Sequence, residues 1–597
     1  MAKSLNSRAP IWSWRRLVLA LFLTLLALGF WKYGFQLNQL PEGADRWQIT
    51  KNFFSASLSP AVADQNPSLP DGATPFLTRL WDNTLNTLRY AFIAMSMALP
   101  VGLLLGFIAS KTWWPQFRGK KRYLVILPAL LYTLTRVFIT LIRSIHELIW
   151  VIFFAACISD SPLAACIAIA VPFAGTLAKV FSEMLDEQND EAPNQLRISG
   201  ASGWQRFVAA RLPQAMPDML SYTLYRLECA IRASAVLGFM GQETIGLSIK
   251  QSFENNYYNE VWTELFVLIA IVMFFDLLSS FVRKRLHNAA PETTKADSTS
   301  IRSLKKNKPR WKSLRLIWAS LAIGVLTSWF IGDPLNEYHS LKSRWDRTVD
   351  FVERLIPEPV RESGSWADAA PWAGELWNTS GKEALFGTVC LATMALLLAS
   401  FFSYIVIPWA SRNIATATPF GIKSGKQNIL MTWLWRGLGM AFRFLFLLAR
   451  SVPEYMLAFL LFALLGAHAW PIILALAIHN FGILGRLWAE ITENSDENAA
   501  KHLYLNGGSR LQTFTCGVLP TSQNRQLLFI FYRWETCVRE STVLGMISIP
   551  SLGFLINIEK TFFRYDSMMY FILLGTAVIA LSDILSIFLR ARLRRAN

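Results

Sequence analysis

The segment RASAVLG at residues 232–238 returns as RESTVLG at residues 539–545, and the constant shift of 307 residues decides the architecture. The same shift relates two further pairs of segments, RSIHE at 143–147 with RSVPE at 450–454 and YRLE at 225–228 with YRWE at 532–535. A fixed offset kept over such a distance is the signature of an internal repeat. We therefore predict that the chain consists of two copies of one unit.

The apolar residues collect in segments of about 20 residues, the length that a helix needs to cross a bilayer. The 597 residues are 53% hydrophobic and 17% charged, whereas globular domains are about 25% charged. This composition argues against a soluble enzyme, a disordered scaffold and a secreted disulfide framework. We predict an all-α polytopic membrane protein with about twelve transmembrane helices.

Each half is predicted to contain six spanning helices. Those of the first half are 17–35, 83–110, 123–158, 162–182, 217–240 and 260–283, and those of the second are 313–332, 383–409, 429–467, 470–489, 524–547 and 568–590. An even number per half makes the two repeats parallel, unlike folds built from inverted repeats. Residues 97–99 and 394–396 share the sequence MAL at a shift of 297. The third helix is too long for a bilayer, so we expect its first part to lie at the cytoplasmic interface, before the chain enters at the RSxxE element.

The domains are then a first repeat at 1–283, a cytoplasmic linker at 284–312 and a second repeat at 313–597. Basic residues collect at both termini and near the linker, whereas 36–79 and 332–382 carry many acids. Because Lys and Arg mark the cytoplasmic flanks of spanning helices, both termini are predicted to be cytoplasmic. The net charge of +17 thus reports topology, and no basic module points to nucleic acid.

Catalytic and metal signatures are missing from the sequence. There is no phosphate-binding GxxxxGK[ST] and no HExxH, and the six His and six Cys are scattered. We therefore predict no catalytic residue and no metal site. The energy for any transport must come from a partner or a gradient.

A polar stretch follows the fourth helix of each half, with the sequence NQLRISGASGWQ at 194–205 and KHLYLNGGSRLQ at 501–512. Each is predicted to form two short helices broken at a glycine, Gly200 or Gly507, where a positive φ can end a helix. The second short helix opens with the Ser-x-x-Gln of a capping box, and Leu-Pro is expected to end it before the next span. The stretch could be a mere connector, but its recurrence at fixed spacing favours a docking surface.

These stretches resemble the cytoplasmic loop of binding-protein-dependent ABC importer permeases, in which Leu-Pro follows the glycine by twelve and thirteen residues. The elements RSxxE, LRxxGAS and RxSxVLG more narrowly resemble the phosphonate importer permease, over about residues 80–283 and 383–590. The likeness implies a type I ABC importer permease-like fold with the two copies fused in one chain. It departs from the family at Asn194 and Lys501, where the family has the Glu of a Glu-Ala pair, so the two halves are expected to couple unequally.

The resemblance implies the permease subunit of an ATP-driven importer that carries phosphonate or a related phosphorus oxyanion across the bacterial inner membrane. Its expected partners are two copies of an ABC ATPase, an extracytoplasmic substrate-binding protein and membrane lipid. ATP-Mg would bind the ATPase, so no cofactor is expected on this chain. The residues expected to dock the ATPase are Asn194, Leu196, Gly200, Ser202, Lys501, Leu503, Gly507 and Ser509. The alternatives are an ABC permease for another small solute, a secondary transporter without an ATPase and, least favoured, a membrane-embedded enzyme.

Ionisable residues inside the apolar helices form the second candidate site. The predicted translocation residues are Arg143, Glu147, Arg226, Glu228, Arg232, Arg450, Glu454, Arg533, Glu535 and Arg539. A charge at the bilayer centre costs about 2.5–3.5 kcal/mol on insertion scales, so each needs a partner or a hydrated path. In the structural alternative, Glu228 pairs with Arg232 and Glu535 with Arg539, four residues apart on a helix. The planar arginine fork suits oxyanions. Arg232 and Arg539 are the favoured anion contacts, because each precedes a SxVLG segment that is expected to approach the outer gate.

Overall fold

Helices make up all the regular secondary structure in the described residues of this chain. The structure is a computed structural model that describes residues 14–34, 44–65, 74–111, 123–158, 161–287, 312–332, 341–422, 429–547 and 550–595, and these ranges contain no strand. The predicted all-α class is therefore confirmed for them. Most of the predicted linker, residues 288–311, lies outside the described residues.

The helices are numbered in chain order. The first twelve are α1 (Trp14–Tyr33), α2 (Ala44–Ala56), α3 (Phe76–Ile108), α4 (Tyr123–Ser144), α5 (Glu147–Cys157), α6 (Pro162–Glu187), α7 (Glu191–Ile198), α8 (Gly203–Arg206), α9 (Leu212–Val236), α10 (Ile245–Glu254), α11 (Tyr258–His287) and α12 (Lys312–Gly332). The others are α13 (Leu341–Arg354), α14 (Glu358–Ser363), α15 (Ala369–Leu376), α16 (Lys382–Ala410), α17 (Ile429–Ser451), α18 (Glu454–Leu465), α19 (Ala469–Glu493), α20 (Asn498–Leu505), α21 (Arg510–Thr513), α22 (Leu519–Leu544), α23 (Leu552–Thr561) and α24 (Tyr565–Arg595).

The helices pack into two compact units. The N-unit comprises residues 51–353, and the C-unit comprises residues 1–50 with 354–597. In the N-unit, α3 packs along α6 and α9, with buried alanines of α3 facing Ile169 and Leu177 of α6. In the C-unit, α16 packs in the same way along α19 and α22. The equivalent packing of these helices in the two units agrees with two copies of one helical unit.

The first helix of each predicted repeat belongs to the compact unit that is formed mainly by the other repeat. Helix α12 packs on α3 of the N-unit, where the Trp329 indole N–H donates to Ser96 Oγ at 3.0 Å. Helix α1 packs on α16 of the C-unit, where Lys32 Nζ lies 3.1 Å from Glu383 Oε1. The compact units and the sequence repeats are thus different divisions of the chain. The boundaries at 1–283 and 313–597 stay a prediction about sequence similarity.

Equivalent threonines hold the long helices in the same way in both units. Ser234 Oγ donates to the carbonyl of Thr87 at 2.7 Å, and Ser541 Oγ donates to the carbonyl of Thr388 at 3.1 Å. Each threonine hydroxyl also accepts a backbone N–H from the start of α10 or α23, at 3.0 and 3.1 Å. Thr87 and Thr388 are therefore equivalent, and the shift between α3 and α16 is 301 residues.

This equivalence corrects the predicted register of the first long helix. The match of 97–99 with 394–396, at a shift of 297, is wrong by one helical turn. A shift of 301 instead superposes three pairs of fully buried alanines, Ala91 with Ala392, Ala94 with Ala395 and Ala98 with Ala399. An alanine-rich helix offers similar short matches one turn apart, so a three-residue identity could not fix the register.

The third predicted helix of each half is broken at the RSxxE element. Helices α4 and α5 meet at 92°, and α17 and α18 meet at 86°. His146 caps α5 by accepting the N–H of Leu148 on its ring nitrogen at 3.2 Å, whereas Pro453 stands at the start of α18. The predicted continuous helices 123–158 and 429–467 are thus corrected to bent pairs. That their first parts lie at the membrane interface stays a prediction.

The number of spans can be assessed by length and composition. Among the described residues, six helices are long and apolar enough to cross a membrane, or up to nine if each bent pair counts as one span. The apolar described parts of α1 and α12 are shorter. Helix α9, which carries Arg226, Glu228 and Arg232, is not among these spans. All twelve predicted segments coincide with helices or helix pairs, which fits a polytopic protein.

Candidate functional site

The polar stretch of the N-unit folds as two short helices around a glycine. Helix α7 ends before Gly200, which has a φ of +83°, and α8 follows. Ser202 Oγ accepts the backbone N–H of Gln205 at 3.3 Å, and Gln205 Oε1 accepts the N–H of Ser202 at 2.8 Å. These reciprocal bonds are the predicted capping box. We call residues 191–206 the N-docking segment.

The C-unit repeats this geometry in residues 498–513, the C-docking segment. Gly507 has a φ of +89° between α20 and α21. Ser509 Oγ accepts the N–H of Gln512 at 3.3 Å, and Gln512 Oε1 accepts the N–H of Ser509 at 2.9 Å. Apart from the glycine and its two chain neighbours, no atom of the described residues lies within 4 Å of a Cβ built on Gly200 or Gly507. Backbone conformation, and not crowding, therefore favours glycine at both positions.

The predicted role of Leu-Pro is wrong. Pro213 lies in the first turn of α9 and Pro520 in the first turn of α22, each directly after a π-helical turn, at Phe207–Arg211 or Phe514–Val518. The chain is thus helical from α8 into α9 and from α21 into α22. Proline has no backbone N–H to donate, and in both copies a π-helical turn directly precedes the Leu-Pro pair within this continuous helical stretch. Leu-Pro opens the next helix and does not end the short one.

Each docking segment presents two apolar side chains to solvent. Ile198 is 83% exposed and Trp204 56%, and their counterparts Leu505 and Leu511 are 64% and 54% exposed. Helix α7 has no buried residue at all, so the predicted Asn194 and Leu196 lie on an open surface. The residues predicted from the sequence include the apolar Leu196 and Leu503 but none of these four. The available signal was an apolar residue at the end of a short polar helix, repeated at a shift of 307.

The two segments differ in how they are anchored. Arg510 Nη1 donates to the carbonyls of Ile414 and Thr416 at 2.6 Å each, and its guanidinium lies 3.8 Å from the centroid of the Trp435 ring. Gly203 occupies the corresponding position of the N-docking segment and has no side chain for such contacts. The loop before α17 therefore braces the C-docking segment through Arg510.

The first turns of the segments are anchored by different ion pairs. Arg211 pairs with Asp190 and donates to the carbonyl of Gln188 at 2.6 Å. In the C-docking segment, Lys501 Nζ lies 3.0 Å from Glu497 Oε2. Lys501 is thus part of an ion pair on its own helix, whereas Asn194 lies on an exposed face. This difference agrees with the expected inequality of the two halves.

The arginines of the RSxxE elements lie where α4 and α17 approach the following long helices. Arg143 and Arg450 are buried. A Cβ on Gly482 would lie 2.8 Å from the backbone nitrogen of Arg450, and one on Gly175 would lie 3.3 Å from Cβ of Arg143. Small residues at these two points allow the close approach that places both arginines inside the units.

In the N-unit, the structure brings Arg232 and Glu228 of the predicted translocation residues together. Arg232 Nη2 lies 3.5 Å from Glu228 Oε1, and both side chains are buried. This is the pairing expected if Glu228 and Arg232 have a structural role only. The guanidinium of Arg226 lies 4.0 Å from the centroid of the Phe173 ring, a cation–π arrangement. Glu147 lies at the start of α5, with its carboxylate 3.5 Å from the ring of His146.

In the C-unit, the corresponding arginine has polar partners outside the predicted set. Arg533 Nε donates to Asn480 Oδ1 at 2.7 Å, and its Nη2 lies 3.1 Å from Glu540 Oε1. Glu454 Oε2 lies 3.6 Å from His479 Nε2. Glu535 is buried on the same helix and Arg539 is half-buried. Asn480 and His479 are the residues that sequence reasoning missed here, since their counterparts in the first repeat are Phe173 and Pro172.

The described residues contain no group of three or more His, Cys, Asp or Glu side chains arranged to hold a metal ion. Two kinds of candidate site remain, namely the two docking segments and the buried charges on α9 and α22. Such an arrangement can bind a partner protein at one end and offer guanidinium groups inside the helix bundle.

Comparisons with known proteins give a consistent result. The family described as binding-protein-dependent transport system inner membrane component matches the chain twice, at residues 83–289 and 417–596. The phosphate-import permease protein PhnE of Mycolicibacterium smegmatis is 23% identical over 85% of this chain and 85% of its own length. The phosphite transport system permease protein PtxC of Stutzerimonas stutzeri is 31% identical over 34% of this chain and 71% of its own length. A solved structure of the methionine ABC transporter MetNI, inward facing, is 22% identical, covering 35% of this chain and 96% of that chain at a TM-score of 0.29.

Proposed function

This chain belongs to the family of binding-protein-dependent transport system inner membrane components, and from that premise we propose that it carries phosphonate or a related phosphorus oxyanion into the cytoplasm. The observation that carries the proposal is the similarity to a phosphate-import permease along 85% of both chains. Family members work with separate ABC ATPase subunits and a substrate-binding protein. The chain is thus a multi-pass transport subunit of the inner membrane, and its partners hydrolyse the ATP.

We infer that two ATPase copies bind, one at each docking segment. The repetition of the glycine, the capping box and the exposed apolar pair in both segments supports this number. ATP-Mg would bind the ATPase subunits alone. The docking segments then face the cytoplasm, together with both termini and the linker, as the distribution of basic residues predicts.

The buried charges suit an anionic cargo. A phosphorus oxyanion pays a high desolvation cost in an apolar core, and an arginine can return two charge-assisted hydrogen bonds at once. The predicted translocation residues comprise six arginines and four glutamates, an excess of positive charge. We propose that Arg539 and Arg226 approach the anion, whereas Arg232 and Arg533 are held by Glu228 and Glu540.

The proposal is tested by reconstituting the chain with its cognate ATPase and binding protein in liposomes. ATPase activity is then compared with a phosphonate, phosphite, phosphate, sulfate and methionine as cargo. We expect stimulation by a phosphorus oxyanion and none by sulfate or methionine. Stimulation by methionine alone would favour an importer for another solute. Uptake that continues without ATP would favour a secondary transporter.

A further inference from the structure

The N-unit contains a polar cavity of about 170 Å³ at the beginnings of α3 and α11. Its walls come from α3, α10, α11 and the turn between the last two. They are formed by Phe76, Arg79, Leu80, Asn83, Ser248, Gln251, Ser252, Asn255, Tyr257, Glu260 and Glu264. Gln251 and Asn255 are exposed at its mouth. The cavity lies at the end of the helices that the charge distribution predicts to be external, away from the docking segments.

Two buried carboxylates share one hydroxyl at the inner end of this cavity. Glu260 and Glu264 are 2% and 1% exposed. Ser252 Oγ lies 3.3 Å from Glu260 Oε2 and 3.1 Å from Glu264 Oε1. A serine hydroxyl has a single proton to donate, so it can satisfy only one of the two carboxylates at a time.

The hydrogen bonds of Glu260 and Glu264 engage every carboxylate oxygen of the two residues except one. Glu260 Oε1 accepts the backbone N–H of Gln65 at 2.6 Å. Glu264 Oε2 is buried and has no hydrogen-bond partner within the part of the chain that the structure describes. A buried carboxylate oxygen without a partner is costly. The Glu264 side chain therefore either holds a proton or takes a further group from the cavity that it lines.

The arginine that lines this cavity, Arg79, already forms an ion pair. Arg79 Nη2 lies 2.9 Å from Asp64 Oδ1, and Asp64 Oδ2 also accepts the backbone N–H of Phe76 at 2.9 Å. The charge of Asp64 thus balances that of Arg79 at the edge of the cavity. The two glutamates inside are left as the excess negative charge.

The second repeat shows that the helix does not need these carboxylates in order to pack. At the shift of 307, Ser567 and Phe571 of α24 correspond to Glu260 and Glu264 of α11. The Phe571 side chain is completely buried in the C-unit. An apolar side chain therefore serves at this position in one copy, and the carboxylates are a special feature of the other.

We propose that this cavity binds one hydrated alkaline-earth cation. The polar wall offers carboxylate, hydroxyl and amide oxygens, the ligands that Mg²⁺ and Ca²⁺ prefer. Two carboxylates match the charge of one divalent ion, and Mg²⁺ commonly keeps several waters beside one or two carboxylates. The volume leaves room for such waters. The bound ion links α10 and α11 through Ser252, Glu260 and Glu264.

The test uses the full chain purified in detergent and stripped of divalent ions with a chelator. Binding of Mg²⁺ and of Ca²⁺ is measured by titration calorimetry in a K⁺ buffer, together with the midpoint of thermal unfolding. We expect saturable binding of one ion per chain and a midpoint that rises with ion concentration. Glu264→Gln is expected to weaken this binding at least about tenfold, since one of two charged ligands is lost.

Two further variants keep the test decisive. Glu264→Phe copies the second repeat, so it is expected to fold and to lose the ion-dependent rise in the midpoint. Glu254→Gln removes an exposed carboxylate of α10 that does not line the cavity, and it should bind like the unmodified chain. The proposal is overturned if the unmodified chain binds neither ion saturably, because the two carboxylates then share a proton. It is also overturned if Glu264→Phe keeps full binding. Neither result bears on the transported substrate.

Discussion

Arg533 and Glu540 form a buried ion pair across two turns of α22, with 3.1 Å between Nη2 and Oε1. At the corresponding positions of the first repeat, Arg226 lies over the Phe173 ring and Ala233 takes the place of the glutamate. The equivalent arginines of α9 and α22 therefore have different surroundings. One copy holds its arginine with a carboxylate, whereas the other places it against an aromatic ring.

This difference predicts that substitutions at residues 540 and 233 affect different properties of the protein. Glu540→Ala removes a partner from the buried Arg533, which commonly costs about 3–5 kcal/mol, so we expect a lower midpoint of thermal unfolding. Ala233→Glu adds a carboxylate two helical turns from Arg226 on the same face of α9, so we expect a folded protein with reduced oxyanion uptake. Ala233→Gln is the matched control for size. Equal uptake by the Glu and Gln variants would contradict a role for the Arg226 charge in the pathway.

Arg232 and Arg539 are predicted to differ although they occupy equivalent positions. Arg232→Gln leaves the buried Glu228 carboxylate without its ion-pair partner, so we expect poor folding. The swapped variant Glu228→Arg with Arg232→Glu should restore it. Arg539→Gln is expected to abolish uptake while binding of the ATPase persists. Uptake assays and ATPase co-purification separate the two effects. Normal uptake by Arg539→Gln would remove that residue from the pathway.

Gly200 and Gly507 are predicted to be required for ATPase docking. Valine at a left-handed position costs about 1–2 kcal/mol. The described residues leave space for a side chain at both glycines, so this cost comes from the backbone conformation. We expect Gly200→Val and Gly507→Val to insert into the membrane and to lose co-purification with the ATPase. Gly200→Val should reduce ATPase association more than Gly507→Val. Arg510 braces the C-docking segment, whereas the N-docking segment has Gly203 at that position. Gly200→Asn, which tolerates positive φ, serves as the control. Unimpaired association of both valine variants would make the segments mere connectors.

The exposed apolar residues of the docking segments should contribute to ATPase binding. Ile198→Asp and Leu505→Asp replace side chains that pack little within the chain, so we expect unchanged thermal stability. Placing a charge in an apolar contact should weaken ATPase association by about tenfold or more. Ser199→Asp adds the same charge at the neighbouring exposed position and should have a smaller effect. Equal loss in all three variants would point to charge alone.

Much of the fold follows from the sequence because its signals are local. The Ser-x-x-Gln capping boxes and the positive φ of Gly200 and Gly507 depend on residues a few positions apart. The exchange of α1 and α12 could not be predicted, since an apolar helix of either repeat can cover either unit. The partner of Arg533 was also hidden, because Asn480 lies on a different helix, 53 positions away.

Import of a phosphorus oxyanion is tested by uptake of radiolabelled phosphonate or phosphite into liposomes that contain this chain with its ATPase and binding protein. ATP is enclosed in one set of liposomes and omitted from another. We expect uptake that requires both internal ATP and the binding protein, and we expect that unlabelled sulfate does not compete with it. Uptake of the same rate without ATP, or no uptake of any phosphorus oxyanion by an assembly that still hydrolyses ATP, would contradict this expectation.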